Sequence, residues 1–177
     1  MRLVNRALMT VLALAAALAL AACGGEDAPA DPVVWAGAFC GGLNQVISSS
    51  QVPQQSADPT EQQEALLRMA GSVQESLDTT ADQLGELGPP AIPDGARTQE
   101  VVLEFFTTAA RATGDQRDRV ADLDPAAPDF VQQLSTLATP GSMQGLSEQV
   151  RQVTSEPDLT PAFRQASQCR AIGGAAR

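Results

Sequence analysis

The chain contains no histidine, no lysine and no tyrosine. Those absences remove the commonest general base, the amine that forms Schiff bases and the phenol donor together. Three-histidine zinc, the two-histidine, one-carboxylate iron site and histidine-ligated haem are excluded on the same ground. The strings G-x-S-x-G, G-x-G-x-x-G and G-x-x-x-x-G-K-[ST] do not occur, and each would have named a nucleophile or a phosphate cradle. Strand-type alternation is missing as well. A non-catalytic chain is the expectation that follows.

What the chain has is carboxylate, alanine and a strongly asymmetric start. Arg2 and Arg6 are the only charges before a small and apolar run of 16 residues, 7–22, which ends at Cys23. A basic start followed by an apolar core is the pattern of an export signal. A retained membrane helix needs about 20 apolar residues and a basic flank, whereas residues 24–32, GGEDAPADP, are short, flexible and acidic. Taking residues 1–22 away leaves 155 residues with 9 Arg against 21 Asp plus Glu, and 9 − 21 gives a charge of −12. One domain fits that length. The acidic balance argues against nucleic acid and against adsorption to anionic lipid, both of which need a cationic face.

The sequence LAAC at 20–23 resembles the lipobox of bacterial lipoproteins. The resemblance implies that lipid is attached to the Cys23 thiol and that the signal is cut just before it. One acyl chain anchors only marginally, at about 0.8 kcal/mol per buried CH₂, whereas the two or three chains implied here would hold firmly. Ordinary secretion with a leftover thiol is the alternative. The expected organisation is a signal peptide at 1–22, a lipidated Cys23 with a tether to residue 30, and a single α-helical domain over 31–177. The chain is also similar, loosely, to small helical envelope lipoproteins of high-GC Gram-positive bacteria that carry one Cys near the mature start and one near the end. That implies a place on the outer face of the cytoplasmic membrane.

With Cys23 occupied, Cys40 and Cys169 are the remaining thiols, and an exported chain meets oxidising conditions in which such a pair closes. Two separately buried thiols are the alternative. A loop of that length would stabilise the fold by about 5 kcal/mol in the chain-entropy account. Two Cys without His are too few for zinc, and their spacing is not that of a C-x-x-C redox pair.

Proline and glycine divide the remainder into helical segments. Asp31 followed by Pro32 opens the first, with Trp35, Phe39, Leu43, Val46 and Ile47 on one face and Cys40 beside it. At Gly41 and Gly42 either a neighbouring helix approaches closely or the helix kinks. Asp58 followed by Pro59 opens the second, whose seam of Leu66, Ala70, Val73, Leu77, Thr80, Leu84 and Leu87 stops at Gly88, Pro89 and Pro90. The third repeats the heptad at Val102, Phe106, Ala109, Thr113, Gln116, Val120 and Leu123, with Phe105 beside it. Two such helices joined by a short loop pair antiparallel. Shorter segments then carry Phe130, Val131, Leu134 and Leu137, and Met143, Leu146, Val150 and Val153. A last helix capped by Thr160 directs Phe163, Ala166, Cys169 and Ile172 inward and stops near Gly173. The expected fold is all-α: an up-and-down bundle of four main helices with one or two short ones, its first and last helices clipped by Cys40 and Cys169.

Several residues invite a sharper reading. Asp115, Asp118 and Asp122 share a helix side and could offer oxygen ligands to calcium, but the glycine turn and bidentate Glu of an EF-hand are missing. The Arg111, Asp115 and Arg119 series reads equally as ion pairs on a solvated face, with Asp124 capping the next helix. Thr80, Thr113 and Gln116 either line a cavity or fix register. Trp35 is either core or an interfacial anchor. Arg164 and Arg170, six apart, diverge around their helix and read as surface. The expected function is a membrane-anchored binding or interaction module. One alternative is a carrier with an apolar groove among Trp35, Phe105, Phe106, Phe130 and Phe163. The other is a hydrolase built on two converging carboxylates. No metal or cofactor is implied; the expected partners are the membrane, through Cys23, and an envelope protein or apolar ligand.

Overall fold

The computed structural model describes residues 28–51, 56–137 and 150–174. The signal segment, Cys23, tether residues 24–27, Met143 and Leu146 lie outside these. Three long helices carry the fold: α1 (Pro32–Ser49), α2 (Pro59–Leu87) and α3 (Gly95–Ala121). Shorter ones follow: α4 (Phe130–Leu137), a helical turn at 150–154, α5 (Thr160–Gln165) and α6 (Ser167–Gly174). This is the all-α bundle that the apolar periodicity predicts, and a disulfide ties its first helix to its last helical region.

Local chemistry starts the first two helices. The Asp31 carboxylate accepts from the amides of Val33 at 2.8 Å and Val34 at 3.1 Å, and Asp58 accepts from Thr60 at 2.8 Å and Glu61 at 3.3 Å. Pro32 and Pro59 occupy the first helical positions, where no intrahelical donor is lost. Helix α2 stops at Gly88, whose φ of 72° belongs to the left-handed region that glycine enters freely. Helix α3 starts from Asp94, at φ 57° and without a side-chain cap.

The core follows the predicted faces. Trp35, Phe39, Leu43, Leu77, Leu84, Val102 and Phe106 are buried together, joined by Val153 and by Leu159 from the loop ahead of α5. Phe39 is the hub. Its ring stacks on Trp35 at 5.8 Å and meets Phe106 and Phe163 edge-on at 5.9 and 5.8 Å. A second cluster of Val120, Phe130 and Leu134 closes the far end of the α2–α3 pair against Leu66 and Leu67.

Gly42 marks a close helix approach. A Cβ placed there would overlap the side chain of Thr80, so α1 and α2 touch across a glycine. Of the two readings of this glycine pair, the close approach is the one observed. The Thr80 hydroxyl is satisfied within its own helix by the Ser76 carbonyl at 2.6 Å, and Thr113 by Ala109 at 2.8 Å. Neither lines the cleft between α1, α5 and α6.

Some expectations need correction. Ile47 and Val131 are 55% and 62% exposed, because each lies one position past the buried stripe of its helix. Gln116 is exposed and donates to the Leu137 carbonyl at 2.9 Å, fastening α4 to α3 instead of sitting in the seam. Thr160 is the first residue of α5 and not its cap; its hydroxyl donates to the Glu156 carbonyl at 3.0 Å. Asp124 accepts from the Ala126 amide at 2.9 Å and so stabilises a turn ahead of α4, while α4 itself starts from Asp129. The closing helix is two helices, broken at Ala166, where ψ is 121°. Ala166 packs with Ala36 and Ala162, and the bend carries Cys169 to Cys40.

Candidate functional site

The Cys40–Cys169 disulfide stands beside a concavity of the fold. Its Cα atoms lie 5.0 Å apart, and it holds α6 against α1 together with the Asn44 amide, which donates to the Gln168 carbonyl at 2.9 Å. Beside it runs a cleft of about 610 Å³ between α1, α5 and α6. Its floor is one face of α1: Val33, Val34, Gly37, Ala38 and Gly41. That face is low because its residues are small. Its walls are Gln165, Ala166, Ser167 and Gln168 on one side and Gln83 of α2 on the other.

No lining residue carries a charge. In a chain with 21 carboxylates that is a distinctive surface. Val34, 55% exposed, supplies apolar contact, and the primary amides of Gln83, Gln165 and Gln168 can each donate and accept. Such a site fits an uncharged molecule with amide or hydroxyl groups. No Asp or Glu lines it, so two acids do not converge there as a hydrolase would require.

The five aromatic residues proposed to line a groove do not line one together. Trp35 and Phe106 are fully buried, and Phe105 meets Phe106 edge-on at 5.0 Å. Phe163 is half-buried against Phe39, while Phe130 belongs to the separate distal cluster. Trp35 is core, and its indole Nε1 donates to Gln99 Oε1 at 2.6 Å. Among the described residues every buried side-chain nitrogen and oxygen has a hydrogen-bond partner.

Asp115, Asp118 and Asp122 are all exposed, and among the described residues no three Asp, Glu, Cys or His side chains are grouped to hold a metal ion. The ion pairs found there are Arg68 with Glu64 and Arg117 with Asp118, each at 3.4 Å, rather than the predicted series through Asp115. Arg164 and Arg170 are exposed. No helix of the described residues is long and apolar enough to cross a membrane. The cleft itself was not foreseen: Gln83 and Gln168 are far apart in sequence and carry no local signal. No protein-family model, characterised protein or solved structure matches the chain.

Proposed function

We propose that this chain is a lipid-anchored protein of the cell envelope, held on the outer face of the cytoplasmic membrane through Cys23, whose helical domain is a non-catalytic binding module. The observation that carries the binding reading is the uncharged cleft between α1 and α5–α6, whose valines and glutamines suit a neutral, hydrogen-bonding ligand. The anchor rests on the basic start, the apolar run and the LAAC sequence. The carrier reading places its apolar groove among five aromatic rings, of which Trp35, Phe105 and Phe106 pack within the core and Phe130 lies in the separate distal cluster.

Two measurements test this reading. An alkynyl palmitate analogue fed to a bacterial host should label the full-length chain and fail to label Cys23→Ala; an unlabelled wild type overturns the anchor. Native mass spectrometry of the exported domain, before and after organic extraction, should show a bound neutral mass that Val34→Asp loses. A mass retained by Val34→Asp overturns the cleft as its site.

A further inference from the structure

The chain's entry into the fold fixes which end of the bundle carries the tether. The Ala30 amide donates to the Pro89 carbonyl at 2.7 Å, and the Ala91 amide donates to the Ala30 carbonyl at 2.8 Å. Ala30 is therefore stitched on both sides to the α2–α3 loop, a parallel bridge that holds the start of the domain at that end. Ala30 lies seven positions after Cys23, a span that reaches at most about 25 Å when fully extended. Helix α2, with 29 residues, is about 43 Å long. The reach is shorter than the bundle.

Charge does not separate the two ends: Asp31, Glu86, Asp94 and Glu100 stand with Arg97 at the tether end, and Asp58, Glu61, Asp118, Asp122, Asp124 and Asp129 stand with Arg117 and Arg119 at the other. The length of the tether is what decides which end is near the membrane.

The geometry points to a bundle held on the lipid surface by one end, with the α2–α3 loop nearest the headgroups and the opposite end, including α4, directed away. This rests on the anchoring at Cys23 proposed above. The cleft begins at the first turn of α1 and so opens in the half of the domain nearest the membrane.

Energy transfer from the protein to the bilayer tests the orientation. Cys23 is acylated and Cys40 is bonded to Cys169, so a single added cysteine is the one free thiol for a donor dye. Ala91→Cys and Val131→Cys place it at opposite ends, both on exposed positions. The full-length acylated chain is reconstituted into phosphatidylglycerol–phosphatidylcholine vesicles that carry an acceptor dye on the headgroup. Donor quenching should be several-fold stronger at position 91 than at position 131. Equal quenching means that the bundle lies flat, and stronger quenching at 131 means that it is inverted; either overturns the orientation. A chain that lacks acyl mass and does not float with the vesicles overturns the anchor itself, and the orientation with it.

Discussion

Gln63 and Gln99 hold corresponding places, each the fifth residue of its helix, and each donates its side-chain amide to carbonyls at the end of the other's helix. Gln63 Nε2 reaches the Val120 and Leu123 carbonyls, both at 2.8 Å, and Gln99 Nε2 reaches the Leu84 carbonyl at 2.5 Å. Helix ends leave carbonyls without intrahelical partners, and an antiparallel pair brings the start of one helix beside the end of the other. The two glutamines thus fasten α2 to α3 at both ends. Gln99 also accepts from Trp35 and extends the fastening to α1.

Gln99→Ala leaves both the Trp35 indole N–H and the Leu84 carbonyl without that partner in a closed core. A buried group left unsatisfied costs about 1–3 kcal/mol, so Gln99→Ala should destabilise by at least about 2 kcal/mol in urea unfolding. Gln63→Ala should cost less, because Leu123 is only half-buried and water can reach its carbonyl. Equal costs for the two variants would show that the Trp35 link contributes nothing.

The contact between Gly42 and Thr80 gives a second prediction. Gly42→Ala places a methyl group into the Thr80 side chain and should destabilise by about 1–3 kcal/mol despite the better helix propensity of alanine. Thr80→Ala in the same chain should recover part of the loss. Gly71 is the control: a Cβ there meets nothing within 4 Å, so Gly71→Ala should stabilise by up to about 1 kcal/mol. Thermal unfolding of the three variants beside the parent chain checks the set.

Phe39 is predicted to be the costliest single truncation in the core. It contacts three other rings, and Phe39→Ala should cost about 3–5 kcal/mol. Phe163→Ala should cost clearly less, since that ring is half-buried at the edge of the cluster. Near-ultraviolet circular dichroism should lose the Trp35 signal in Phe39→Ala and keep it in Phe163→Ala.

These residues also show how much of the fold was legible beforehand. Periodicity identified Trp35, Phe39, Leu77, Leu84, Val102 and Phe106 as core, since a helical stripe is a local property of the sequence. The Asp31 and Asp58 caps were readable for the same reason: the carboxylate and its amides lie within three residues. Gln63 and Gln99 gave no signal, because their partners are set by the register of two helices. Leu159 sits in a loop, outside any periodic pattern, yet is fully buried. The aromatic groove failed because composition does not tell which cluster a ring joins. The cleft was hidden because its walls come together only after α6 is clipped to α1.

That clip supplies the last prediction. Cys40 and Cys169 are 129 residues apart, and removing the bond in Cys40→Ala/Cys169→Ala should cost about 5 kcal/mol in the chain-entropy account, less any structure that the unfolded chain retains. The loss should also be uneven. Helices α2 and α3 are fastened by Gln63 and Gln99 and share the most extensive contact in the fold, whereas α6 is held to α1 by the disulfide, the bond from Asn44 to the Gln168 carbonyl and a smaller apolar contact through Ile172 and Cys169. Limited proteolysis of the reduced or doubly substituted chain should therefore cut first within 160–174, while amides of α2 and α3 keep their protection against hydrogen exchange. The cleft has Gln165 and Gln168 in one wall, so it should be lost at the same step. Cuts that begin in the α2–α3 loop instead would show that the disulfide supports the whole bundle and not this wall.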